Sequence, residues 1–469
     1  MFSPPHMVGV SKIRFRSDKE YLMTGTPWKA VLIFSIPIAV GYLLQIMYGT
    51  VDTIIVGRKL GEAALSAVGN SVTLTTVFGC VSWGLSAGMN AVLSRYSGGE
   101  KDEAMRKCFG TSMAMNITAG FMMTVLCFFL AEPIYRFVMG VPDDIMDLTV
   151  RYTQIFGLGF TFQFGYNAIG SMMRSFGDSL TIMYVLIATT ILNTVLDLYF
   201  LLGLGMDADG TAIATAICQV ISFFSLLYLY NRKYKDYAIK RGTVKFDWGY
   251  VHEILEASAP MAIQQVAIFG SAILFQQAAN SYGSEMIASY AVERRLEAFY
   301  RLPISAIGAG MVTFVGLHYG AKQYDRMFMG IRQLLIMSVV ITVVISAISI
   351  VIAPFLTSIF GLSGTSQDYC TEHLRVINLL FPLFALYFPM LSVFQAVKRP
   401  NMSLIVVILE IVIRLFFLWA LMPDDLLGYH IIWWNALFGW IVCIIVTFLY
   451  YKKGRWRNDL ERPPEATAG

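Results

Sequence analysis

Twelve stretches of the chain are apolar over a helix length, at roughly 28–56, 64–93, 108–131, 147–172, 180–203, 210–231, 250–279, 286–316, 328–352, 370–396, 402–422 and 428–451. No other feature limits the fold so tightly. About 20 residues rising ~1.5 Å each cross a hydrocarbon core, where the backbone finds no water and must bond to itself. The expectation is an all-α integral membrane protein with twelve transmembrane helices. Only 14% of the residues are charged, against about 25% in soluble domains. The first 23 residues carry Lys12, Arg14, Arg16 and Lys19 without an apolar signal core, so residues 1–24 read as a cytoplasmic basic tail.

The basic residues orient the spans. With the N-terminus inside, 26 Lys and Arg fall on the inner segments, Arg174 among them, and five on the outer loops. That bias puts both termini, including residues 453–469, on the cytoplasmic side of the plasma membrane. The formal net charge of +4 offers no basic stripe for nucleic acid.

The chain is also duplicated. "FSIPIAVGYLLQ" opens span 1 and "ASAPMAIQQVAI" opens span 7, matching Ser35 and Pro37 to Ser258 and Pro260. "GLSAGMNAVLSRYSGG" lines up with "AIGAGMVTFVGLHYGA", with Gly98 and Gly320 at equal places 222 residues apart. The expected organisation is a six-helix lobe over 25–231, a linker over 232–249 and a second six-helix lobe over 250–452. An even number of spans per repeat sets the symmetry axis along the membrane normal, and such repeats enclose a substrate pathway between rocking bundles.

Enzyme motifs find no support. "GLSAG" at 84–88 imitates a nucleophile elbow, but it lies inside an apolar span where the elbow needs a strand, turn and helix. Gly84 and Gly88 instead suit a small-residue packing face. "DADG" at 207–210 lacks the glutamate of a calcium loop, and no phosphate-binding loop is present. The five histidines and six cysteines are scattered, without metal-ligand spacing. No cofactor is expected, and the partners are small-molecule substrates and the lipid bilayer around a single chain.

Charges inside spans cost about 2.5–3.5 kcal/mol each at a helix centre. Asp52 lies about 6 Å below the outer end of span 1, Asn193 and Asp197 share one face of span 5, and Thr215 lies about 7 Å inside span 6. Three helices thus bring two carboxylates, an amide and a hydroxyl to one depth, which suits a hard cation or a proton. The competing reading is that the aspartates reach from span ends into water. In the second repeat Glu297–Arg301 and Glu410–Arg414 are spaced to pair along their own helices. Glu297, Arg301 and Arg414 are candidates for cavity or gating roles as well as structural ion pairs. Gln264 and Gln265 are candidates to line a cavity.

Together, "SIPIAVGYLLQIMYGTVDTIIVGRKLGEAALSAVG", "LNTVLDLYFLLGLG" followed by "GTAIATA", and "GLHYGAKQYDR" resemble the multidrug and toxic compound extrusion transporters. The resemblance covers about Thr24 to Tyr451. It implies a V-shaped, two-lobed antiporter that exports organic cations and other amphipathic compounds against inward protons or sodium ions. In prokaryotic members the coupling cation is held by residues that fall on Asp52, Asn193, Asp197 and Thr215. His318 stands where the pattern has an amide or similar residue, and "QAVKRPNM" replaces "RSFGDS" in the second repeat. Two other classes compete: a flippase for a lipid-linked precursor, of related architecture, and a non-transporting sensor or membrane enzyme. For the topology, a cysteine placed at Gly242 (Gly242→Cys) should resist an impermeant thiol reagent in intact cells and react after permeabilisation.

Overall fold

The computed structural model describes residues 19–240, 242–422, 428–454 and 456. The tails expected to be cytoplasmic therefore lie mostly outside the described residues, as do Lys12, Arg14, Arg16 and Arg241. Fourteen α-helices follow one another among the described residues. A short α1 (Lys19–Thr24) precedes α2 (Pro27–Leu60), α3 (Glu62–Gly98) and α4 (Asp102–Ile134). The fourth span is split into α5 (Asp143–Gly157) and α6 (Phe160–Ser175), followed by α7 (Leu180–Leu198) and α8 (Asp209–Lys233). The second lobe holds α9 (Trp248–Asn280), α10 (Ser284–Gly320), α11 (Tyr324–Ile359), α12 (Thr365–Ala396), α13 (Pro400–Leu421) and α14 (Ile431–Lys453). Among the described residues eleven helices are long and apolar enough to cross a membrane, and the split span makes a twelfth crossing. Phe129 and Val351, 74% and 78% exposed, show how apolar the outer face is, as a bilayer requires.

The break at Leu158 and Gly159 is local packing, not a polar interruption. Leu158 N–H is shared between the carbonyls of Gln154 and Ile155, and Gly159 N–H bonds the carbonyl of Phe156, so the ladder tightens to three-residue spacing. A Cβ at Gly157 would meet Cys127, and one at Gly159 would meet Gln219. The chain turns where two neighbours come too close for any side chain.

The repeat signature of the sequence becomes the seam between lobes. A Cβ on Gly88 would collide with Ser258, and one on Gly310 would collide with Ser35. A Cβ on Gly98 would strike the carbonyl of Leu317, and one on Gly320 the carbonyl of Arg95. Each contact is the other's mirror through the repeat. Gly84 lies against the backbone of Ala262, Ser258 Oγ donates to the Leu85 carbonyl at 3.3 Å, and Asn90 Nδ2 donates to Thr313 Oγ1 at 3.2 Å. The small-residue face thus joins α3 to α9 and α10, backbone against backbone.

A polar clasp closes the seam at the linker end. Glu253 accepts from Tyr96 Oη and from Arg95 Nη2 (3.4 Å), and Arg95 Nη1 donates to the Ala396 carbonyl at 3.2 Å. The linker rests on the first lobe: Asp247 N–H donates to Thr111 Oγ1 at 3.2 Å, and Thr243 lies against Gly110. Asp247 also caps α9 by accepting from Gly249 N–H. His318 is buried beside this end and is held on both ring nitrogens. Arg326 Nε donates to Nε2 at 3.0 Å, so Nδ1 carries the proton and donates to the Phe314 carbonyl at 2.8 Å.

The seam yields a stability prediction. Gly98→Ala should lower stability by about 1–3 kcal/mol through overpacking, read as a lower thermal midpoint in detergent. Gly79→Ala, on the same helix with open space at its Cβ, should leave that midpoint unchanged or raise it.

Candidate functional site

Of the four polar residues grouped by depth in the first lobe, Asp52, Asn193 and Asp197 meet around Cys218, and Thr215 is buried one turn before that cysteine on the same helix. Asp52 of α2, Asn193 and Asp197 of α7 and Thr215 of α8 are 6%, 1%, 0% and 4% exposed. Such burial excludes the reading in which the aspartates reach into water. Thr215 Oγ1 donates to the Thr211 carbonyl at 2.9 Å. Both carboxylate oxygens of Asp197, and both the oxygen and the nitrogen of the Asn193 amide, lack hydrogen bonds. Interior polar groups are nearly always bonded, and leaving one unmade costs about 1–3 kcal/mol. Asp52 and Asp197 lie close enough to repel each other. A π-helical turn, Tyr199–Gly203, begins two residues after Asp197, the kind of local irregularity that recurs at functional positions.

Two further side chains complete the pocket and carry no sequence signal of their own. Tyr152 of α5 is buried beside Thr211, and both carboxylates act on its hydroxyl electrostatically. Cys218, one turn beyond Thr215 on α8, lies beside Asn193 and Asp197. A tyrosine or cysteine in an apolar run is ordinary, so nothing in the chain marks these two.

A second feature lies between the lobes, above the seam. It is a cavity of about 660 Å³ lined by α2, α3, α6 and α7 from one lobe and α9, α10 and α12 from the other. Gln264, Gln265 and Arg301 line it. Glu297 and Arg414 do not line it. Arg174, counted above with the inner segments, turns from the last turn of α6 into the cavity instead.

Helices arranged as two repeats around such a cavity belong with known transporters. The family model MatE matches residues 37–199 and 260–420, one match in each repeat. The chain belongs to the MatE family. Members are membrane transporters, not enzymes. This MatE protein is 25% identical over 443 residues to the probable multidrug resistance protein YpnP of Bacillus subtilis (strain 168), covering 94% of this chain and 98% of that one. It is 22% identical over 429 residues to the multidrug export protein MepA of Staphylococcus saprophyticus, covering 92% and 94%. A solved structure described as the outward-facing conformation of a multidrug resistance MATE family transporter shares its fold, with TM-score 0.87, 22% identity, and 94% and 98% coverage.

In this MatE protein the second lobe has the opposite electrostatic character to the first. Glu297 is bonded by Arg301 Nε at 2.8 Å and by Arg294 Nη1 at 2.5 Å. Glu410 accepts from Tyr387 Oη at 2.6 Å and Trp440 Nε1 at 3.0 Å, with Arg414 Nη1 farther off at 3.5 Å. Arg414 Nε donates to Asn435 Oδ1 at 2.8 Å, and its guanidinium lies 4.6 Å over the Phe275 ring. Both pairs spaced along their helices therefore form, yet the shorter bonds to Glu410 come from other helices. This network ties α12, α13 and α14 together. Glu410→Gln should cost about 3–5 kcal/mol of stability by stranding Arg414, and Tyr387→Phe about 1 kcal/mol, both read from thermal unfolding. Full stability with abolished transport would instead give Glu410 a part in the transport cycle.

Proposed function

We propose that the protein is a secondary multidrug efflux antiporter, in which amphipathic small molecules leave through the central cavity in exchange for protons or sodium ions. Asp52, Asn193, Asp197 and Thr215 hold the coupling ion. The observation that carries this reading is Asp197: a fully buried carboxyl without a hydrogen bond, next to Asp52 and an unbonded amide. Two adjacent carboxylates repel, and a proton or a sodium ion between them removes that repulsion. The amide and hydroxyl oxygens suit a hard cation and complete its ligand set. An ion drives transport only by binding two conformations of the lobe unequally. The unbonded carboxyl of Asp197 and amide of Asn193 support such a difference, since groups left without hydrogen bonds gain most from an arriving ion.

The basic-residue bias supports placing both termini and the linker in the cytoplasm. On that orientation the seam closes the cytoplasmic side, and the cavity opens outward. The single chain holds both lobes and the whole cavity, which supports a monomeric transporter. Rocking between states then requires the glycine seam and the Glu253 clasp to part.

Efflux of a fluorescent amphiphile from proteoliposomes, under an imposed proton gradient and then a sodium gradient, tests the ion site. Asp197→Asn should abolish gradient-driven efflux while the protein stays folded. Thr215→Ala should weaken sodium-driven efflux more than proton-driven efflux, because a hydroxyl oxygen ligates a metal and is not needed to hold a proton. An Asp52→Asn, Asp197→Asn double variant with unchanged gradient dependence would remove the site from the coupling mechanism.

A further inference from the structure

We propose that the central cavity selects amphipathic anions: a carboxylate, phosphate or sulfonate head seated between Arg174 and Arg301, with an apolar body along the walls above. The proposal rests on the transport reading and deepens it by naming the charge of the cargo. It departs from the organic cations that the family resemblance implies.

The charged side chains lining the cavity are Arg174 from the first lobe and Arg301 from the second, and no aspartate or glutamate joins them among the described residues. Arg174 Nη2 donates to Ser86 Oγ at 3.0 Å and Ser171 Oγ at 2.9 Å. Those partners are neutral. The titratable groups in reach of its guanidinium are Tyr42 and Tyr166, and no carboxylate among the described residues pairs with it. Hydroxyls satisfy hydrogens without cancelling charge, so a guanidinium within a membrane protein keeps an unmet demand for an anion. A planar guanidinium also meets carboxylate and phosphate with two parallel hydrogen bonds.

Arg301 adds to the same field. Its ion-pair partner among the described residues, Glu297, is shared with Arg294, and Glu293 adds a longer-range attraction to both. Glu293, the next acid on α10, faces His373 at 3.8 Å instead and does not line the cavity.

The repeat symmetry shows that the seat is specific to one lobe. Ser86 Oγ lies 2.6 Å from Ser171 Oγ, and the repeat-related Gly308 would place a Cβ 3.1 Å from Ser392 Oγ. In that register Arg174 corresponds to Gln395, which also lines the cavity. A cation is present in one copy and a neutral amide in the other, so the scaffold does not itself require the charge. Ile182, Met183 and Leu186 on one wall and Phe269 and Phe388 on the other supply the apolar surface. A lipophilic cation entering here meets two guanidiniums and, among the described residues, no carboxylate on the cavity wall. Its cation–π contacts, about 0.5–2 kcal/mol each, do not offset that repulsion in a low-dielectric site.

Equilibrium binding to the purified full-length protein in uncharged detergent tests this without any gradient, so the result is independent of the coupling ion and its site. The probes are tritiated fusidate, a steroid carboxylate, and tritiated tetraphenylphosphonium, read by scintillation proximity. Fusidate should bind the wild type more tightly than tetraphenylphosphonium does. Arg174→Gln should weaken fusidate by about tenfold or more, the loss of a charge-assisted contact, while Arg174→Lys should keep most of the affinity. Ser86→Asp, which supplies Arg174 with an internal carboxylate and so guards against misfolding of the arginine variant, should weaken fusidate in the same way. Tighter binding of tetraphenylphosphonium to the wild type, or unchanged fusidate affinity in both Arg174→Gln and Ser86→Asp, would overturn the proposal. Competition then distinguishes the source of the anion. Displacement of fusidate by phosphatidylglycerol but not phosphatidylcholine supports an anionic seat used by a lipid head group, whereas displacement by neither supports one used by a free amphiphile.

Discussion

The close approach of α3 to α9 and α10 is the contact on which the rest of the arrangement depends. Helices in a bilayer gain nothing from hiding apolar surface, because lipid tails are as apolar as leucine. They associate where small residues let backbones touch and polar groups bond across the gap. Here Gly84, Gly88 and Gly98 meet one side of the second repeat, while Gly310 and Gly320 return the same contacts from the other. The seam is therefore self-complementary about an axis along the membrane normal. It holds the lobes together on the linker side and leaves the cavity above it.

The two lobes share a backbone plan and differ in chemistry. In the first, two carboxyls and an amide are packed away from solvent with hydrogen bonds left unmade. In the second, Glu297 and Glu410 are each surrounded by donors. An interior with unmet polar groups changes energy when a proton or ion arrives, whereas a saturated one mainly resists disruption. Glu293 is the exception among the buried acids of the second lobe, with its Oε1 unbonded.

Much of this was legible in the sequence because a helix converts residue number into depth at a fixed rise. That conversion grouped Asp52, Asn193 and Asp197, which are buried side by side, with Thr215, buried on the neighbouring helix, and the duplicated Ser35–Pro37 and Ser258–Pro260 marked the two repeats. Depth, however, carries no direction. Arg174 was counted with the inner segments, and from the last turn of its helix its side chain turns into the cavity. Neighbours from distant helices were equally hidden: Tyr152 near Asp52 and Asp197, and Tyr387 and Trp440 on Glu410. The break at Leu158 and Gly159 left no trace in hydropathy, because the residues there are as apolar as those around them.

The glycine seam also bears on how the protein is made. When the first six spans have entered the membrane, the bare backbone stripe along α3 has no partner, and lipid chains are a poor fit to its narrow grooves. The second repeat must be synthesised before that stripe is covered. The first lobe therefore waits in the bilayer as an open half, and its completion is a docking event late in biogenesis rather than a property of its own helices.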